Sequence, residues 1–208
     1  NMKNTILFIC SLLTSFLFCQ DFKLVKASDH IEAIASHKLE NKPNIFITDF
    51  NTLDTLIKRS KKKYKIVYYF SGTCPASTET FPSFIEFLNE NDTLFELFTM
   101  VGHRYSEIPH YIEYSSRIKY FNPIYILDME KYGKRKNPSN KIRKLNKTLC
   151  KECDYKKMGA SNFFVVDENN NIIVVNDYYF SWDQQLNQLK QLINRNLGFI
   201  MRPRQDRV

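Results

Sequence analysis

The stretch Tyr64-Lys-Ile-Val-Tyr-Tyr-Phe70-Ser-Gly-Thr-Cys74-Pro-Ala-Ser77-Thr-Glu-Thr-Phe-Pro82 decides the fold. Tyr64 to Phe70 is an almost unbroken β-branched and aromatic run, the pattern of a central strand buried on both faces. It stops at Ser71-Gly72-Thr73, residues that suit a turn. Pro75 follows, where proline fits the first turn of a helix. Phe81, Phe84, Ile85 and Leu88 then recur at helical spacing and make one face of that helix apolar. Cys74 therefore stands where a buried strand hands over to a helix N-terminus. There the macrodipole and free N–H groups favour the thiolate, which is the reactive form of the side chain.

Working outward, Asn44-Ile-Phe-Ile-Thr-Asp49 is a short strand candidate. Asn51 or Thr52 is placed to cap a helix over about 52–60, with Leu53, Leu56 and Ile57 on one face. The basic run 61–63 is its exit loop. Upstream, Ile31 to Leu39 fits a helix or a poor strand, and residues 21–43 leave that choice open. Downstream, Leu94 to Val101 reads as a second buried strand, 105–120 as a helix and Pro123 to Leu127 as a further strand.

Residues Glu130 to Met158 are polar and basic, with a helix over 139–149. In Asn162-Phe-Phe-Val-Val-Asp-Glu-Asn-Asn-Asn-Ile-Ile-Val-Val175, two apolar runs flank a turn-rich centre, a β-hairpin signal. Trp182 to Leu197 is amphipathic, with Leu186, Leu189, Ile193 and Leu197 in register and Gly198 as the stop. The order βαβαβα, then hairpin and helix, is α/β with a mixed central sheet.

The 208 residues, 43% hydrophobic and 25% charged, suit one globular domain with a real core. Twelve Tyr and seventeen Phe against five Gly exclude a disordered or low-complexity chain. Lys3 and the apolar run Ile6 to Phe18 read as a secretory signal peptide over 1–19, too short to span a bilayer comfortably. Cys19 is where a lipidated mature N-terminus would begin. Phe18 stands where a small residue is wanted, so a lipid anchor is the lesser alternative. Removing 1–19 takes away one Lys and lowers the formal charge from +8 to +7. The excess sits in 58–63 and 131–157, read as solvated loop and helix face rather than a nucleic-acid or membrane contact. Export leaves Cys74, Cys150 and Cys153, an odd number in a compartment that permits disulfides.

At this point the sequence resembles a thioredoxin-fold protein, closest to the exported redoxin branch typified by TlpA and ResA. The strand–Cys74–helix passage carries the likeness, with Pro82 where that fold has its helix-kinking proline. Pro123-Ile-Tyr-Ile-Leu-Asp128 is similar to the strand this branch inserts before its final hairpin. Gly159-Ala-Ser-Asn-Phe-Phe-Val-Val-Asp resembles the family's Gly-Val-Pro-Thr-Thr-Phe-Leu-Ile-Asp segment. The resemblance divides the chain into a signal peptide (1–19), an N-terminal extension (20–43), a thioredoxin-like domain (44–198) and a basic tail (199–208). It implies no cofactor and no metal, protein thiols or disulfides or a redox partner protein as partners, and a bacterial periplasmic location.

The departures are as informative. The family's Cys-x-x-Cys is Cys74-Pro75-Ala76-Ser77, so the resolving thiol is missing. The usual Trp before the first Cys is Thr73, and the cis-proline that faces the active site maps onto Ser161, after Ala160. The buried acid six residues before the first Cys is Tyr68. Ser77, one turn along, is placed to donate a hydrogen bond to the Cys74 sulfur. Such a site can form a mixed disulfide but cannot release it, because no neighbouring thiol attacks.

Release then falls to an external thiol or to Cys150-Lys-Glu-Cys153, for which a local structural disulfide, a relay to Cys74 and zinc binding are the alternatives. Zinc lacks ligands, since His103 and His110 fit no known spacing. Tyr105, Tyr111 and Tyr114 line a substrate surface or simply pack a helix. Two further functions compete with a monothiol oxidoreductase. One is a redox-inactive binding or accessory module. The other is a thiol peroxidase, disfavoured because peroxiredoxins place their Thr three residues before the Cys, whereas Thr73 is adjacent.

Overall fold

The computed structural model describes residues 25–102, 105–133, 138–149, 161–177 and 179–196. The chain opens with β1 (Val25–Lys26), a 3-10 turn (Ala27–His30), α1 (Ile31–Ala35), β2 (Ile45–Thr48) and α2 (Phe50–Arg59). The strand and helix around Cys74 are β3 (Tyr64–Tyr69) and α3 (Pro75–Glu90), followed by β4 (Phe95–Val101). A 3-10 turn (Tyr105–Glu107) leads to α4 (Ile108–Arg117) and β5 (Ile124–Leu127). Last come α5 (Met129–Tyr132), α6 (Pro138–Leu149), the hairpin β6 (Phe163–Val166) and β7 (Ile172–Val175), and α7 (Trp182–Asn196).

The seven strands form one sheet in the order β1-β2-β5-β4-β3-β6-β7. Pairs from β1 through β3 are parallel, and the hairpin adds two antiparallel strands. This is the thioredoxin-like mixed sheet, with β5 inserted between β2 and β4. Residues 25–35, upstream of the strand expected at 44–49, add an edge strand and a short helix.

β3 is buried at all six positions, which is why its sequence shows no polar alternation. Tyr64, Ile66, Tyr68 and Phe70 join a cluster with Phe81 and Phe84 of α3, Tyr114 of α4 and Leu189 of α7. Val67 and Tyr69 join the opposite cluster with Leu53 of α2 and Ile142 and Leu145 of α6. Each fully buried aromatic contributes about 2–3 kcal/mol of transfer free energy. Lys65 is the polar exception, 2% exposed with its ammonium donated to the Asp167 carbonyl at 2.7 Å; burial lowers its pKa.

Two local expectations are corrected and one open choice is decided. Helix α2 starts at Phe50, capped neither by Asn51 nor by Thr52. The Asp49 carboxylate accepts the Thr52 N–H at 2.9 Å, because an extended carboxylate satisfies an orphan donor of the first turn. Burial opposes ionisation of Asp49, but its bonds to Lys131 and Thr52 outweigh that and lower its pKa. The helix expected over 105–120 spans only 108–117, because its first three residues form a 3-10 turn. It ends with Lys119 at φ 55° and a bond from Tyr120 N–H to Ser115 carbonyl at 2.8 Å, a Schellman-type stop without glycine. Within 31–39, a helix covers Ile31–Ala35 only.

The hairpin turn forms where expected. The Asp167 carboxylate accepts the N–H groups of Asn169 and Asn171 at 2.9 and 2.8 Å, and Asn170 adopts φ 63°. Asparagine tolerates that left-handed conformation better than most residues.

Candidate functional site

Cys74 is the N-cap residue of α3, in extended conformation with φ −98° and ψ 114°. Its N–H donates to the Ser71 carbonyl at 3.1 Å, and its own carbonyl accepts the Thr78 N–H at 3.0 Å. The side chain is a free thiol, half-buried, and caps no helix N–H. Pro75 occupies the first helical turn, which carries no acidic residue. Pro82 lies inside the helix, as expected.

The loop delivering Cys74 is held from several sides. The Ser71 N–H donates to Ser77 Oγ at 3.1 Å, and the Ser71 and Thr73 hydroxyls are 3.2 Å apart. His110 of α4 sets Nε2 3.3 Å from the Gly72 carbonyl, and the Gly72 backbone hydrogen-bonds the Tyr111 hydroxyl. A β-carbon on Gly72 would lie 3.1 Å from the His110 ring and 3.3 Å from Tyr111, so a larger residue would press these rings back by a few tenths of an ångström. The Tyr114 hydroxyl donates to the Thr78 carbonyl at 3.0 Å and joins α4 to the first turn of α3; burial pushes its pKa up to about 12.

Ser77 differs from its expected part. It is 0% exposed, and its oxygen accepts from the Ser71 N–H instead of serving the Cys74 sulfur. The reason is local. The Ser71 N–H, in the turn that follows β3, finds its acceptor in the hydroxyl one helical turn beyond Cys74.

Opposite Cys74, the β3–β6 ladder continues past the strand ends. Ser161 N–H donates to the Tyr69 carbonyl and Tyr69 N–H to the Asn162 carbonyl, both at 2.8 Å. This brings Ser161 beside the end of β3, on the side of the sheet from which Cys74 leaves. Ser161 adopts φ 67°, a left-handed conformation that costs a non-glycine residue about 1 kcal/mol or more. Asn162 and Asn176 join behind it, the side-chain amide of Asn162 donating to Asn176 Oδ1 at 3.0 Å.

Tyr68 forms the floor beneath this region. It is 0% exposed, stacks on Phe84 at 4.8 Å and lies 5.3 Å from Phe81. Burial raises its pKa, and the Ser161, Ser77 and Thr80 hydroxyls lie close enough to oppose that rise.

Thr73, Cys74, Pro75 and Ser77 thus lie together at the start of α3, and Ser161, just before β6, pairs with Tyr69 at the end of β3. Cys150, Cys153, Ala160, His103, Cys19 and the expected signal peptide lie outside the described residues. Tyr111 and Tyr114 are core residues at 0% and 4% exposure, and Tyr105 accepts the Met129 N–H at 3.1 Å. Packing, not a substrate surface, is their role. The His110 clasp was not legible beforehand, because 38 residues separate it from Gly72. Nor was the floor: Tyr68 stood out in the sequence only as a missing acid.

Among the described residues no cluster of three or more His, Cys, Asp or Glu is placed to hold a metal, and no helix is long and apolar enough to cross a membrane. No family model and no curated protein sequence matches the chain. Among solved structures it is similar to the thioredoxin domain of a thiol-disulfide oxidoreductase from Bacteroides vulgatus. That match has 15% identity and TM-score 0.45, over 64% of this chain and 81% of that one. It is also similar to a putative protein disulfide isomerase from Bacteroides thetaiotaomicron (13%, TM-score 0.42, 64% and 72%). A third likeness is to AhpC of Mycobacterium bovis (16%, TM-score 0.38, 63% and 73%). These likenesses are weak and partial, so the chemistry has to come from the residues themselves.

Proposed function

We propose that the chain is an exported thiol–disulfide oxidoreductase of thioredoxin-like fold, with Cys74 as a single nucleophile acting on protein disulfides and thiols. One observation carries it. A free, half-buried thiol stands at the N-cap position of α3, on a loop braced by Ser77, His110 and Tyr111, while the family's resolving position holds a buried, engaged hydroxyl. The helix N-terminus favours negative charge on the sulfur.

In the proposed reaction the Cys74 thiol gives its proton to solvent and the thiolate attacks one sulfur of a partner disulfide. The partner S–S bond breaks, a Cys74–partner disulfide forms, and the second partner sulfur leaves as a thiolate that takes a proton from water. Ser77 cannot complete the cycle, because a buried hydroxyl is neither a thiol nor free to approach. An external thiolate attacks the Cys74 sulfur of the mixed disulfide and releases the partner's sulfur as a thiolate, so the partner is reduced; a second external thiolate then attacks the external sulfur bound to Cys74, freeing the Cys74 thiolate while the two external thiols leave joined as a disulfide. Cys150 and Cys153 are internal candidates for the attacking thiol, and the apolar N-terminal run supports export to the periplasm.

An aromatic disulfide reagent tests this, with the adduct located by mass spectrometry of peptides. Wild-type protein is expected to carry the adduct on Cys74, and Cys74→Ser to react at that peptide at least about a hundredfold more slowly, at background. A folded wild type with Cys74 inert would establish the redox-silent binding module in its place. Full reductase or isomerase activity in Cys74→Ser would sink the proposal equally.

A further inference from the structure

A cleft opens at the end of the sheet away from Cys74. Strands β3, β4 and β5 run parallel, and Cys74 follows the C-terminal end of β3. A cavity of about 370 Å³ lies at the opposite end, where β4 and β5 begin. Its apolar wall includes Leu88 near the end of α3, Phe95 at the start of β4 and Pro123 just before β5. Roughly 20 Å of strand separates it from the thiol. The volume lies within the range of small-molecule sites, roughly 300–1,000 Å³.

His37, Lys62, Asp92 and Glu96 also line this cavity. Glu96, the second residue of β4, keeps only 14% of its side chain exposed. Its carboxylate makes no hydrogen bond among the described residues. Its ion-pair contact is His37 Nε2 at 3.8 Å, too long for a hydrogen bond. The lysines placed to neutralise it are committed elsewhere. Lys65 stands opposite Glu96 in the β3–β4 register, yet its ammonium is donated to the Asp167 carbonyl at 2.7 Å. Lys62 donates to the Asp92 carbonyl at 2.5 Å. A carboxylate so enclosed has lost much of its hydration and recovers little of it from the protein. In an apolar-walled cavity it is complementary to a cation that carries an apolar body.

We propose that this cavity binds a small organic cation, a primary ammonium on a compact apolar body, with Glu96 pairing the ammonium and Leu88, Phe95 and Pro123 covering the body. A charge-assisted N–H···O bond to the carboxylate orients the ligand, and the apolar wall sets its size. An anion does not suit the same place, because its charge would meet Glu96 while Lys62 is held at the Asp92 carbonyl. A metal ion does not suit it either, since among the described residues no three His, Cys, Asp or Glu are gathered to hold one. The inference stands apart from the Cys74 reading: the thiol takes no part, and no covalent bond is made or broken.

The test is titration of the purified protein at pH 7 with benzylamine, followed through the backbone amide NMR signals of Leu88, Phe95 and Glu96. Benzyl alcohol, with the same ring and no charge, and phenylacetate, with the opposite charge, are the controls. Benzylamine is expected to give saturable shifts at these three residues, and both controls to bind at least about tenfold more weakly. Glu96→Gln keeps the shape of the side chain and removes its charge, and should weaken benzylamine by about tenfold or more. Cys74→Ser should bind benzylamine as wild type does, which separates this site from the thiol. Equal affinity for benzylamine and benzyl alcohol overturns the proposal, because it reports apolar contact alone. So do shifts that are absent or fail to saturate, and so does a Glu96→Gln variant that binds benzylamine as tightly as wild type. If Glu96→Gln does not fold, the comparison of the three ligands on wild type decides by the same criterion.

Discussion

Two tyrosines flank the Phe81 ring, Tyr68 from β3 and Tyr120 from the segment between α4 and β5, and they end differently. Tyr120 lies 5.2 Å from Phe81 and Tyr68 5.3 Å, at 2% and 0% exposure. The Tyr120 hydroxyl meets Thr99 Oγ1 at 2.7 Å, while the Tyr68 hydroxyl makes no hydrogen bond among the described residues. Burial raises the pKa of both phenols, so neither ionises near neutral pH. Equal burial and the same aromatic neighbour therefore do not explain the contrast. What differs is position: Tyr120 follows α4, whereas Tyr68 lies in β3, the strand that leads to Cys74.

The contrast breaks first, if it is wrong, at Tyr120. Tyr120→Phe strands the buried Thr99 hydroxyl and is expected to cost about 1–3 kcal/mol, a fall of roughly 3–10 °C in melting temperature for a chain of this size. Tyr68→Phe removes a group with no partner and should stay within about 1 kcal/mol of wild type. Thermal unfolding of the two variants side by side checks this, and equal losses would show that the two hydroxyls do not differ in kind.

A smaller effect sharpens the same point at Asp49, a polar group fully used by the fold. Asp49→Ala removes the cap of α2 and is expected to cost about 1 kcal/mol at pH 7. The folded pKa of Asp49 is lowered, so its stabilisation is present above the unfolded value near 3.9 and is lost as pH falls through the folded one. Urea titrations should therefore show the gap between variant and wild type closing below about pH 4. The exposed Lys131 partner adds little.

The smallest effect falls on Ser161. Ser161→Gly relieves the left-handed strain and should gain a few tenths to about 1 kcal/mol. Differential scanning calorimetry reads the gain, and a variant no more stable than wild type would remove the strain assigned to Ser161.

The secondary structure was largely legible because its signals are local. The unbroken apolar run of β3, the spacing of Phe81, Phe84 and Leu88, and the Asn-rich turn of the hairpin each depend on neighbours within a few residues. Expectations failed where a cap or stop reached further than the pattern. Asp49 was counted as strand although its carboxylate reaches forward to Thr52, and Lys119 ended α4 in a conformation that composition does not announce. Cys74, Pro75 and Ser77 were also visible in advance, since one turn and one helix start hold all three.

What the sequence by itself determined is thus the element order, the thiol at the helix N-terminus and the absence of a thiol three residues on. All are properties of a short continuous stretch. What only the tertiary structure decided is how that stretch is surrounded. It placed His110 against Gly72, brought Ser161 alongside the end of β3, gave Ser77 to the Ser71 N–H and set the Tyr68 ring against Phe81 and Phe84. Those relations join residues up to 92 positions apart, as Tyr69 and Ser161 are. Hydrogen-bond pairing across a sheet depends on which strands lie side by side, and no local pattern encodes that.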